Sequence, residues 1–152
     1  MNSKQPLVSI ITVNYITLSD TVEFLESAVR LTYSNVEIIV VDNASPAGTP
    51  TDDVKVKFPN VKFIQSEKNL GFAGGNNIGI KQAKGDYYLL LNNDTILFPD
   101  FLEPIIAFME THPDAGMASP KMLYADGKTI QFAGAIGISA FTGRGKCLGI
   151  YE

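Results

Sequence analysis

The sequence predicts an α/β domain with a mostly parallel sheet flanked by helices and a β-hairpin near its C-terminus. Three observations carry this. Short runs rich in β-branched residues alternate with stretches of helical periodicity, the order expected of βαβ units. The runs are continuously apolar rather than alternating, as in parallel strands covered on both faces. Each ends in a polar break. The 152 residues suit one domain over 1–152. A 45% hydrophobic share against 18% charged residues supports a core and excludes a disordered or fibrous chain.

Residues 7–13 read as the first strand, broken by Asn14-Tyr15. Asp20 and Glu23 have capping-box spacing, and Val22, Leu25, Ala28 and Val29 recur at helical intervals, so a helix is expected over about 21–31. The second strand is 36–41, ending at Asp42-Asn43, and two prolines and a glycine make 44–50 a loop. A short helix over about 52–58 and a third strand, 61–64, follow, then a turn at Asn69-Leu70-Gly71. The pattern over 73–84 is helical, with Gly85 as its stop. Residues 87–91 form a fourth strand covered on both faces, closed by Asn92-Asn93-Asp94. Asp100 and Glu103 cap a helix to about residue 110, and a short strand is expected at 117–119. Asp126-Gly127 joins 122–124 to 129–132 as a two-residue hairpin. The five glycines of 134–149 leave no clear element.

A net charge of −4 argues against general nucleic-acid binding, which needs a basic surface. Cys147 is the single cysteine, which excludes an internal disulfide and a cysteine-based zinc site and fits a reducing compartment. No apolar run approaches the ~18 residues of a membrane helix, and residues 7–13 lack the basic flank of a signal peptide. A cytoplasmic location is expected, free or at the inner face of a membrane.

In an open parallel sheet, ligands bind beyond the carboxyl ends of the strands. That rule selects Asn14-Tyr15, Asp42-Asn43, residues 66–69 and Asn92-Asn93-Asp94, which should line one crevice. Gly74, Gly75 and Gly79 stand in a helical pattern, where each costs roughly 1 kcal/mol against alanine. Either close helix–sheet packing or a ligand against the helix start would offset that. The segment lacks Gly-x-Gly-x-x-Gly, and Ile80 stands where a P-loop needs lysine, which disfavours both phosphate motifs. Asp94 reads either as an Asx turn or as a ligand of an oxygen-preferring cation. Asp42 reads either as a loop cap or as an acceptor for a base or ribose. Arg144 and Lys146 read as a solvated loop or as groups that close over a diphosphate.

Four ordered motifs carry a resemblance over about residues 6–132: VSIITVNY from Val8, EIIVVDNAS from Glu37, NLGFAGGNNIG from Asn69 and LNNDT from Leu91. Together they resemble the family-2 glycosyltransferases, inverting enzymes of the Rossmann-like GT-A fold, and most of all their rhamnosyltransferase-type branch. The resemblance implies that Thr12, Val13, Asn14 and Tyr15 contact the nucleobase and that Asp42 contacts base or ribose. It implies that Asn69, Gly71, Phe72 and Asn76 border the nucleotide and diphosphate. The family's Asp-x-Asp metal motif aligns with Asn92-Asn93-Asp94, so Asp94 is the expected ligand of Mg2+ or Mn2+, with Asn92 and Asn93 at the nucleotide.

The expected partners are a UDP- or dTDP-linked sugar and a glycan or lipid-linked acceptor in polysaccharide or cell-wall synthesis. Inverting transfer needs a general base for the acceptor hydroxyl, in this family a carboxylate of a Glu-Asp type motif. Beyond Asp126 the only carboxylate side chain is Glu152, in no such motif. The chain is therefore expected to be a donor-binding part that lacks the base and the acceptor side. Two other readings stand beside this one. The first is a non-catalytic nucleotide-sugar-binding module. The second is a sugar nucleotidyltransferase, whose glycine-rich basic signature after the first strand is missing from 14–20.

Overall fold

A computed structural model describes residues 5–46, 52–138 and 145–149. They fall into two compact units, Met1–Asp100 and Phe101–Glu152. The first unit alternates strand and helix: β1 (Val8–Asn14), α1 (Leu18–Ala28), β2 (Val36–Asp42), α2 (Asp52–Lys57), β3 (Val61–Gln65), α3 (Gly71–Gln82) and β4 (Tyr87–Asn92). The four strands form one parallel sheet in the order β3-β2-β1-β4. The expected parallel architecture is the observed one.

Two sets of side chains leave opposite faces of β1. Ile11 packs with Ile39 and Val41 in a fully buried cluster, against which Ile64, Ile78, Ile80 and Ala83 rest. This is the face that α3 covers. A Cβ added at Gly75 would stand 2.8 Å from Val13 Cγ1, and one added at Gly79 only 2.4 Å from Ile11 Cγ2. Close packing therefore accounts for these two glycines, the first of the two readings open from sequence. The opposite face buries Val8 and Ile10, with Phe24, Leu25 and Ala28 of α1 also buried.

Several local expectations are corrected. Helix α1 begins three residues early, with Thr21 N–H bonded to Thr17 O, so Asp20 lies in the first turn and caps nothing by its side chain. An acidic residue there is favoured by the helix dipole without being the cap. Helix α3 ends before an extended Ala83, and Gly85 is not its stop. Gly85 instead donates its N–H to Ser9 Oγ at 2.8 Å. Strand β4 is not covered on both faces. It lies at the sheet edge, α3 packs on β1 and β2, and Tyr88 and Leu90 stay 53% and 45% exposed.

The second unit holds α4 (Leu102–Thr111) and two antiparallel pairs, β5 (Met122–Leu123) with β6 (Ile130–Phe132) and β7 (Ala135–Ile138) with β8 (Gly145–Cys147). Helix α4 has no side-chain cap bond, so Asp100 does not cap it. No strand forms at 117–119. The hairpin exists, but its turn is wider than two residues. Leu123 pairs Ile130, and Tyr124 N–H bonds Thr129 O. The Thr129 hydroxyl, then the Lys128 and Thr129 N–H groups, hold the Asp126 carboxyl below the ordinary carboxylate range. This side-chain bridging widens the turn. The glycine-rich tail, expected to be featureless, supplies β7 and β8. Glycine does not preclude a ladder, because the ladder bonds are made by backbone.

The α3 packing yields a test. Gly79→Ala gains roughly 1 kcal/mol of helix propensity but places a methyl into Ile11, an overpacking cost of roughly 1–3 kcal/mol. A net loss of stability in urea unfolding is expected, and a smaller loss when the change is made in an Ile11→Ala background, which lacks the Cγ2 that the added methyl would strike.

Candidate functional site

Connections from β1 run to β2 and β3, and the chain then crosses back through α3 to β4 on the other side of β1. The strand order thus reverses between β1 and β4, the position beyond whose carboxyl ends open α/β sheets bind ligands. Register places the polar residues there. Asn14 pairs Asp42, Asp42 pairs Gln65, and Val13 pairs Asn92, which brings Asn93 level with Asn14.

These residues join in one hydrogen-bonded row across all four strand ends. Gln65 Nε2 donates to Asp42 Oδ1 at 3.0 Å and Asn14 Nδ2 to Asp42 Oδ2 at 2.7 Å. The Thr21 hydroxyl donates to Asn14 Oδ1 at 3.0 Å, and Asn93 Nδ2 donates to Thr21 Oγ1 at 2.9 Å. Asp42 is only 1% exposed and takes a third bond from Ser45 N–H at 2.8 Å. These three partners are neutral donors.

A second cluster ties β2 to the start of α3. Asn43 Nδ2 donates to Asn69 Oδ1 at 3.0 Å and Gly71 O at 3.1 Å, while Asn43 Oδ1 accepts from Leu70 N–H at 3.0 Å. Gly71 has φ +70°, a left-handed conformation that glycine adopts freely. Ile16 and Ala44 also have positive φ, +73° and +63°, which is strained for side chains with a Cβ. Both strained residues flank Ser45, whose hydroxyl accepts from Ile16 N–H at 2.9 Å.

The expected site residues divide by exposure. Tyr15, Asn69, Gly71, Phe72, Asn92 and Asp94 are exposed around the rim. Asn14 and Asp42 are buried in its floor, and Asn93 is half-buried and turned toward α1. Val13 faces α3 against Gly75. Thr12 and Asn76 are buried, and Thr12 Oγ1 and Asn76 Oδ1 have no hydrogen-bond partner. Arg144 and Glu152 lie outside the described residues. Thr17, Thr21, Ser45 and Gln65 were not singled out from sequence. Each is a common polar residue whose part depends on a neighbour distant in the chain.

Among the described residues no group of three or more His, Cys, Asp or Glu could hold a metal ion. The oxygen-bearing side chains exposed at the β4 turn are those of Asn92 and Asp94. One carboxylate with oxygen donors fits Mg2+ or Mn2+ when ligand phosphates and water complete the shell.

Two substitutions test the floor. Asp42→Ala removes the acceptor of the Ser45 N–H, while Asn14 Nδ2 and Gln65 Nε2 keep Ser45 Oγ and Ser66 O as partners, and is expected to cost about 1–3 kcal/mol in urea unfolding. Thr12→Val removes a buried hydroxyl that has no partner and is expected to be neutral or to gain about 1 kcal/mol in the same measurement.

The family model for glycosyl transferase family 2 matches residues 9–136. The chain is 33% identical over 116 residues to the uncharacterized glycosyltransferase YwdF of Bacillus subtilis, covering 74% of this chain and 43% of that protein. The chain spans less than half the length of this curated relative. Among solved structures, residues 1–349 of S. aureus TarS in complex with UDP match at a TM-score of 0.62 and 24% identity, over 78% of this chain and 39% of that one. A mannosyltransferase from Pyrobaculum calidifontis in complex with GDP-Man and Mn2+ matches at 0.62 and 20% identity, over 70% and 33%. Those two likenesses establish the fold alone, which is GT-A. With the family model matching residues 9–136, which include the ends of all four strands of the sheet, the chain belongs to glycosyl transferase family 2.

Proposed function

We propose that this chain binds a nucleotide-diphosphate sugar and forms the donor side of a glycosyltransferase that inverts the sugar as it passes to a hydroxyl acceptor. The observation that carries this reading is the polar row over the four strand ends, opened at its rim by Tyr15, Phe72 and Asp94. Family membership supports it, as do similar structures solved with UDP and with GDP-Man and Mn2+.

In this reading the exposed Tyr15 ring lies against the nucleobase, carried there by the end of β1, Thr12, Val13 and Asn14. Asp42 has three of its roughly four lone-pair positions occupied, and the remaining one accepts from base or ribose. Asn69, Gly71, Phe72 and Asn76 border the diphosphate, and Asn92 hydrogen-bonds the nucleotide. Asp94 would hold a divalent cation, Mg2+ or Mn2+. When bound, that cation supplies charge neutralisation of the diphosphate leaving group. The donor is a UDP- or dTDP-linked hexose or rhamnose. The acceptor is a glycan or lipid-linked glycan of surface polysaccharide, and a lipid-linked acceptor brings the domain to the inner face of a membrane.

The test is a calorimetric and thermal-shift titration with UDP, dTDP and GDP, with and without Mn2+, on this chain and on Asp94→Ala. Ligand at 100 times its Kd stabilises a fold by roughly 2.7 kcal/mol. Binding of one nucleotide, strengthened by Mn2+ and with that gain lost in Asp94→Ala, is expected. A folded chain that binds none of the three overturns the reading.

A further inference from the structure

Asn93 lies between the two residues expected to meet nucleotide and metal, yet its side chain turns the other way. Its Nδ2 reaches Thr17 Oγ1 at 2.8 Å, Thr21 Oγ1 at 2.9 Å and Thr17 O at 3.3 Å. Thr21 is fully buried, and the nearest acceptor for its own proton is Asn14 Oδ1. Asn93 therefore spans the point where the strand order reverses, joining the turn after β4 to the entry of α1. Such a bond constrains the turn that carries Asp94.

The residue type follows from the partners. Thr17 O is a carbonyl and can only accept, and Thr21 Oγ1 accepts from Asn93 through a lone pair while its own proton has Asn14 Oδ1 at 3.0 Å and Thr17 O at 3.4 Å as acceptors. The position needs a donor. An amide supplies two N–H groups, whereas a carboxylate supplies none and would face a carbonyl oxygen. An aspartate at 93 would add charge near the expected metal and yet break the link that holds the turn.

We propose that Asn93 is a positioning residue for metal-supported nucleotide binding. It clamps the Asn92-Asn93-Asp94 turn to Thr17 and Thr21, so that the Asp94 carboxylate is presented at the strand end in one orientation. The inference rests on the donor-site reading above. It replaces a direct contact of Asn93 with the nucleotide by an indirect one, through Asp94.

The test measures UDP, dTDP and GDP affinity by calorimetry in Mn2+ and in EDTA, on the unaltered chain, Asn93→Ala, Asn93→Asp and Thr17→Val. Partners behind a metal ligand typically change metal affinity about tenfold or more, so Asn93→Ala and Asn93→Asp should lose about tenfold in Mn2+ and stay within about twofold in EDTA. Thr17→Val removes one acceptor at an exposed position that leaves the core intact, and a smaller loss, again confined to Mn2+, is expected. Equal losses with and without metal would make Asn93 a direct nucleotide contact and overturn the proposal, leaving the donor site standing. Unchanged affinities in the three variants would also overturn it alone. Failure of the unaltered chain to bind any of the three nucleotides would overturn both readings.

Discussion

Asp42 ends β2 with a carboxylate that water barely reaches. An unpartnered charge there would cost several kcal/mol, so the groups around it must supply hydrogen bonds. They come from three directions: Asn14 on the neighbouring strand, Gln65 on the other, and the backbone of Ser45 in the following loop. Each donor is held in turn. Asn14 is fixed by Thr21 and Thr21 by Asn93. Satisfying one buried carboxylate thus aligns the ends of all four strands, and networks of this kind rigidify a site when every member is partnered.

The same strand ends bear two different surfaces because strand side chains alternate. Toward α3 the sheet presents Ile11, Ile39 and Val41, and the glycines of α3 let its backbone approach that layer. Toward α1 the final residues are Asn14, Asp42 and Gln65. The apolar face fixes where α3 lies, and with it the position of Asn69, Gly71 and Phe72 at the rim. The polar face forms the floor. Strained backbone at Ile16 and Ala44 sits beside this floor, where Ser45 holds it. Strain of this kind persists only where surrounding bonds over-determine the conformation.

Much of this was legible in the chain itself. Apolar runs with polar breaks located β1 to β4 within a residue or two. The rule for ligands at carboxyl ends picked four polar breaks, and hydrogen bonds link residues at or beside them at one end of the sheet. Asn14 and Asp42 were identified because they stop strands abruptly. Thr21 and Gln65 were not, since a threonine in a helix and a glutamine after a strand carry no local signal. The boundaries of α1 and the hairpin turn shifted because other local bonds won, Thr21 N–H to Thr17 O at the helix start and Asp126 to Lys128 and Thr129 in the turn.

Periodicity and strand-breaking residues, by themselves, determined the α/β class, the parallel sheet and the end of it at which polar groups gather. These follow from interactions between residues near in sequence. Which faces are covered was decided by tertiary structure. Five apolar residues in β4 look like a strand buried on both sides, but burial depends on strand order, and an edge position leaves Tyr88 and Leu90 open. The direction of Asn93 was likewise decided only when β4 came to rest beside β1, because its hydrogen-bond partners lie more than seventy residues away in the chain.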